Sequence, residues 1–217
     1  MRAPLPVLYL HGFASGPGSK KARFFGERLR ARGVECDTPD LAAGDFAGLT
    51  ITGQLRTAEA AIAGRRVCLM GSSLGGYLAA LLAEAHPDLV DRVMLMAPAF
   101  DFAARWRARL GEATFAEWER TNALEVFHYG EGRPAAVRFS LYSDALQYAP
   151  FPHVSQPALV FHGRADDVVP YELSERFAAL MPSAQLRLVD SGHELVDVTE
   201  AMWEETCRFF GIAERPI

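Results

Sequence analysis

Residues 70–76 read MGSSLGG, from Met70 to Gly76. They follow a short apolar run, Val67–Met70, that predicts a buried strand, and they open a stretch, Leu74–Ala85, that predicts a helix. Gly71, Ser73 and Gly75 match G-x-S-x-G. Between a strand and a helix, this pattern holds its serine on a sharp, strained turn and lifts the hydroxyl clear of the backbone. The positions two before and two after the serine must be small, because strand and helix pass close there. That requirement separates the two serines. Ser72 would be flanked by Met70 and Leu74, both too bulky, whereas Ser73 is flanked by glycines. Ser73 is therefore the candidate nucleophile. The plainer alternative is a glycine-rich turn whose serine only caps the helix, and the strand–turn–helix setting weighs against it.

On both sides of this turn, short apolar runs alternate with amphipathic ones, the pattern of a mostly parallel sheet covered by helices. Val7–Leu10, Val34–Thr38, Val93–Met96, Ala158–Phe161 and Leu186–Val189 predict further strands. Ser19 is placed to cap a helix running to about Arg32, with Phe24, Phe25 and Leu29 on one face and Gly33 as its stop. Leu55–Ala63 and Glu200–Phe210 predict two more helices. The expected class is α/β: one domain over residues 1–217, with residues 98–157 inserted between the fourth and fifth strands. The insertion is far longer than an ordinary connection and rich in aromatic residues, which predicts a lid over a site, with an extra packing layer as the alternative. Within it, Phe102–Leu110 and Phe115–Asn122 predict two helices. Val126–Tyr129 and Ala136–Phe139 then predict a hairpin around Gly130-Glu131-Gly132.

A serine nucleophile needs a base, and the base needs a carboxylate behind it to fix its tautomer and stabilise the imidazolium. In a sheet of this type they follow in the order Ser, Asp or Glu, His, each past the end of a later strand. HGRADDVVP places Asp166 and Asp167 after the fifth strand, and SGHEL places His193 after the sixth. The residues alone leave Asp166 and Asp167 open, and both could instead cap a helix beginning near Tyr171. His11, His86, His128, His153 and His162 sit in less suitable places, His162 at the end of a strand.

Near the start, LYLHGFASGPGSKK, Leu8 to Lys21, is a glycine-rich turn ending on lysine. It fits neither phosphate-binding pattern. No G-K-[ST] forms, because Ser19 separates Gly18 from Lys20, and G-x-G-x-x-G fails because Lys21 stands at the third glycine. The loop suits another anion. Acyl transfer creates a tetrahedral oxyanion that needs two preorganised N–H donors. Leu74, just after the nucleophile, supplies one at a helix N-terminus. Phe13, just past His11-Gly12, supplies the other while its ring lines the pocket. Lys20 and Lys21 are then expected to be solvated residues of the first helical turn. The aromatic insertion places Trp106 and Trp118 as further substrate contacts around an apolar group.

Composition narrows the function classes. Half of the 217 residues are apolar and 23% are charged, as in ordinary globular proteins. A net charge of −5 gives no electrostatic case for nucleic acid or an anionic membrane. Cys36, Cys68 and Cys207 show no metal-ligand spacing, and their odd number fits a reducing, cytoplasmic setting. No metal site is expected. The first residues lack an A-x-A-like cleavage site, and no stretch is long and apolar enough to span a bilayer.

LYLHGFASGPGSKKA, GSSLGGYLA, HGRADDVVP and SGHEL, with the segment from Val126 to Leu146, together resemble the α/β-hydrolase superfamily across nearly the whole chain. More closely, they are similar to small bacterial esterases of the YqiA/YcfP type. The resemblance implies Asp166 as the acid in preference to Asp167. It also implies a serine hydrolase of carboxylic esters or thioesters, acting on a small molecule with no metal or organic cofactor. Because the chain begins almost at the oxyanion strand, the sheet is expected to be reduced. A haloalkane dehalogenase would carry aspartate in place of Ser73. A peptidase or C–C hydrolase would share the same three residues, and a non-catalytic binding module would typically lack one of them.

Overall fold

The computed structural model describes residues 4–213. Six strands form one sheet: β1 (Val7–Leu10), β2 (Cys36–Asp37), β3 (Val67–Ser72), β4 (Val90–Met96), β7 (Ala158–Gly163) and β8 (Ala184–Val189). Their order is β2-β1-β3-β4-β7-β8, and every pairing is parallel. The second strand is shorter than the apolar run Val34–Thr38 suggests. Only Val7 and Leu8 of β1 pair with it, opposite Cys36 and Asp37.

A parallel sheet is covered on both faces, so alternate residues of each strand enter different cores. Leu8, Leu69, Val93 and Val160 pack on one side with α2 (Ile51–Ile62), α3 (Leu74–Ala85) and α6 (Glu172–Leu180). Tyr9, Met70, Met94 and Phe161 pack on the other, against α1 (Lys20–Ala31) and α7 (Thr199–Phe210). Each fully buried side chain of this size contributes about 1.5–3 kcal/mol. Helix α1 starts where expected: Ser19 Oγ accepts from Ala22 N–H at 3.4 Å. Helix α2 begins four residues before Leu55, because Thr50 caps it by accepting from Gly53 N–H at 2.9 Å.

The insertion holds α4 (Phe102–Thr121), the antiparallel hairpin β5 (Leu124–His128) and β6 (Arg133–Val137), and α5 (Ser140–Ala145). The two helices expected here run on as one element, broken at Gly111, whose φ of 71° and ψ of 160° are non-helical. The hairpin turns where expected but in a shifted frame, with Leu124 opposite Val137. Asp144 ties the insertion to the body by accepting from Thr52 N–H at 2.8 Å and Thr52 Oγ1 at 2.7 Å, at the start of α2. Beyond the break, Phe115 and Trp118 turn into the core, where Phe139 and Tyr142 pack edge-on against Phe115 at 5.4 and 4.6 Å.

Trp118, expected at the substrate pocket, is only 1% exposed and donates its indole N–H to Val137 O at 2.9 Å. The rotation of α4 past Gly111 aims it inward. Trp118→Ala is expected to cost about 3–5 kcal/mol through the cavity it leaves, measured by urea unfolding. A loss below about 1 kcal/mol, the range of surface sites, would contradict this placement.

Candidate active site

Strand β3 passes into α3 at Ser73, whose φ of 55° and ψ of −118° lie where L-residues are rarely found. Neighbours hold it there. Its N–H donates to Met96 O at 2.8 Å, and its carbonyl accepts from Gly76 and Ala99 N–H at 2.9 and 3.0 Å. The turn also leaves no space for side chains around it. A Cβ at Gly71 would lie 2.2 Å from Gly75 O, and one at Gly75 would lie 2.1 Å from Leu10 O. Conformations of this kind cost about 1–3 kcal/mol and persist only when overdetermined.

The turn directs Ser73 Oγ to within 3.0 Å of His193 Nε2, and His193 Nδ1 lies 2.7 Å from Asp166 Oδ2. An ionised carboxylate only accepts, so Nδ1 carries the ring proton and Nε2 is free to accept the serine hydroxyl's. The structure thus brings together Ser73, His193 and Asp166 from the ends of β3, β8 and β7. Asp167, the alternative left open by the residues, is exposed.

Asp166 is held from several directions. Oδ1 accepts from Val168 and Val169 N–H at 2.9 and 2.8 Å, and Oδ2 faces a second histidine, His162 Nε2, at 3.1 Å. His162 is fully buried, and its Nε2 also faces Val169 O at 2.9 Å. With two acceptors opposite Nε2, that nitrogen is the donor, and Nδ1 accepts from Ser174 Oγ at 2.7 Å. Burial pushes the Asp166 carboxyl up. The bonds from His162, His193 and Val169 N–H more than offset this and hold it well below the usual carboxylate range. Sequence reasoning treated His162 as a strand end, although its place four residues before Asp166 within H-G-x-x-D was visible.

The first loop lies against this turn. A Cβ at Gly12 would stand 3.4 Å from Ser73 Cβ. His11 Nε2 accepts from Leu41 N–H at 3.2 Å, so Nδ1 carries the proton and donates to Gly12 O at 3.0 Å. A trans peptide sends C=O and N–H in opposite directions, so fixing Gly12 O also fixes the direction of Phe13 N–H. Neither Phe13 N–H nor Leu74 N–H has a hydrogen-bond acceptor among the described residues. The Phe13 ring packs edge-on against Trp106 at 5.1 Å and tilted against Phe46 at 5.5 Å, and all three line the cavity.

Lys21 departs from expectation. It is buried, not solvated, and its Nζ donates to Glu194 O at 2.5 Å, beside His193. Burial pushes its pKa down, against the nearby carboxylates of Glu194 and Asp166. The partner is 173 residues away in sequence, beyond the reach of local pattern.

The cavity above Ser73 and His193 has a volume of about 1310 Å³. Its walls are the first loop, the cavity-facing side of α4 and the β5–β6 hairpin. Among the described residues no cluster of His, Cys, Asp and Glu has the geometry of a metal site, and no helix is long and apolar enough to cross a membrane.

A six-stranded parallel sheet between helices, with a serine on the tight turn after its third strand in sequence, is the α/β-hydrolase fold. The chain belongs to UPF0227, an uncharacterised protein family, whose pattern it matches over residues 6–210, in line with the YqiA/YcfP-type motifs. Among solved structures, a putative hydrolase from Agrobacterium vitis S4 is similar, with a TM-score of 0.84 and 24% identity over 96% of this chain and 91% of that one. Mouse alpha/beta hydrolase domain-containing protein 10 has a TM-score of 0.78 and 20% identity, over 94% and 89% of the two chains. A monoacylglycerol lipase from Paleococcus ferrophilus has a TM-score of 0.74 and 17% identity, over 97% of each. None of the curated proteins compared with the chain matches it.

The depressed carboxyl of Asp166 has a consequence for acid stability. Its folded-state pKa lies below the unfolded value of about 3.9, so its contribution is fully present above about pH 5 and is lost as pH falls toward the folded value. Asp166→Asn is expected to flatten the wild-type decline in unfolding free energy between about pH 4 and pH 2, measured by urea titration. Equal slopes in the two proteins would show that the carboxyl is not held low.

Proposed function

We propose that this protein is a serine hydrolase of carboxylic esters or thioesters with small to medium apolar acyl groups. The observation that carries this is the unbroken hydrogen-bonded line from Ser73 Oγ through His193 to a buried, ionised Asp166. His193 Nε2 takes the serine proton as Oγ attacks the substrate carbonyl, and Asp166 stabilises the imidazolium. The N–H groups of Phe13 and Leu74 receive the oxyanion, with the start of α3 adding its dipole. His193 then returns the proton to the departing alcohol or thiol, leaving an acyl-serine. In the second half it draws a proton from water, whose oxygen attacks the acyl carbon; the bond from that carbon to Oγ breaks, His193 returns the proton to Ser73, and the acid leaves. Phe13, Phe46, Phe102 and Trp106 give the cavity an apolar wall suited to an acyl chain. The hydrolase and lipase among the structural neighbours are in keeping with this chemistry. The residues 98–157 would form a lid, and the setting would be cytoplasmic.

Hydrolysis of p-nitrophenyl esters from acetate to decanoate tests the proposal. Wild type should turn them over, and Ser73→Ala should lower kcat by about four orders of magnitude, with the chain-length optimum measuring the acyl site. Folded protein that turns over neither oxygen esters nor thioesters, and resists a serine-directed fluorophosphonate, would favour a binding module on a hydrolase scaffold.

A further inference from the structure

On α4, Phe102, Arg105, Trp106 and Arg109 follow one another at helical spacing, and all four line the cavity. Arg105 differs from the other cavity cations. Lys20, Arg23, Arg109 and Arg133 are exposed and Lys21 is buried with its Nζ donating to Glu194 O, whereas Arg105 is half-buried beside Val168. The guanidinium's one hydrogen bond among the described residues runs from Nη2 to Val168 O. No carboxylate there lies within 4.0 Å of it in an ion pair. The oxygens of Asp166 are engaged by two histidines and two backbone N–H groups. Burial pushes the Arg105 pKa down, against the longer-range pull of Asp166 and Asp101.

A guanidinium taken out of water is costly unless an anion meets it, and the lining acids do not supply one. Asp40 and Asp45 accept from backbone N–H groups of their own turns, and Glu131 pairs with Arg133. Glu125 and Glu194 are exposed and form no ion pair with a lining cation among the described residues. The cavity wall therefore holds a half-buried fork of N–H donors with no carboxylate in contact, drawn only at longer range by Asp166 and Asp101, in a chain whose net charge is −5. A planar fork suits a planar carboxylate, which can take two parallel bonds. A phosphate dianion would call for a second half-buried cation free to meet it; Lys21 is committed to Glu194 O, and Lys20, Arg23 and Arg109 are too exposed to serve beyond steering.

We infer that Arg105 receives a carboxylate of the substrate, so the substrate class is an ester carrying a second, ionised carboxyl group within reach of the scissile bond. This rests on the serine-hydrolase proposal and narrows it. Trp106 and Phe102 pack along the connecting chain while Arg105 fixes its charged end. Val168 O anchors the guanidinium.

The test compares 4-nitrophenyl half-esters of glutaric and adipic acid with their methyl diesters, uncatalysed rates subtracted, in wild type, Arg105→Gln and Arg105→Lys. Wild type should prefer the half-esters. Arg105→Gln should lower kcat/KM for them by about tenfold or more, chiefly through KM, with diesters changed by no more than about twofold. Arg105→Lys should recover part of the preference, since it keeps the charge without the fork. Wild type also needs no variant: raising NaCl from about 50 to about 500 mM should shrink its half-ester preference. A charge-blind wild type overturns the inference. So does an Arg105→Gln that slows both esters equally, the mark of a residue that only straps α4 to Val168. No turnover of any ester would instead remove the hydrolase proposal itself, and the inference with it.

Discussion

The close passage of α3 over the ends of β1 and β3 constrains everything else at the site. Leu10 O and Gly75 O stand where side chains at residues 75 and 71 would be, so the helix can begin only by throwing Ser73 into a left-handed turn. That turn has two effects at once. It lifts Oγ toward His193, and it leaves Leu74 N–H at the head of a helix with no acceptor among the described residues. The first loop, where a Cβ at Gly12 would stand 3.4 Å from Ser73 Cβ, follows β1 out of the same contact.

Opposite the serine, Asp166 organises the other half. Four donors converge on one buried carboxylate, two from the backbone of its own turn and two from histidines on different elements. His162 donates to the same oxygen, Oδ2, that His193 bonds, while Oδ1 is taken by the backbone of the turn, so both oxygens of the carboxylate are held. Lys21 then fastens the His193 loop to α1. Asp166 and His193 are thus oriented by elements from both faces of the sheet.

Much of this was legible in the sequence, for a reason that varies from residue to residue. Ser73 could be told from Ser72 because the demand for small flanking residues is local and steric. The strands could be placed because burial on two faces leaves continuous apolar runs. Asp166 could not be separated from Asp167 by its residues alone. The difference lies in which carboxylate turns back onto the N–H groups of Val168 and Val169, and that is set by the turn's backbone. Lys21 and Trp118 were misplaced for opposite reasons. A lysine in a first helical turn is usually solvated, and only a carbonyl far along the chain reverses that. Trp118 shares a helix with cavity residues, but the break at Gly111 turns it away from them.

The insertion leaves and rejoins the sheet at neighbouring strands, β4 and β7, which pair directly in parallel from Val93 opposite Ala158 to Met96 opposite Phe161. The sheet therefore closes without a strand from the insertion, whose last residue, Pro157, only accepts from Val93 N–H at its edge. Ser73 lies before it, and Asp166 and His193 lie after it. Divergence within the family can exchange one roof for another while the register beneath stays fixed, provided a new segment replaces the Asp144 clamp on Thr52 and the Arg105 anchor on Val168. Selection for new substrates should accordingly leave its mark between residues 98 and 157 and spare the strands on either side.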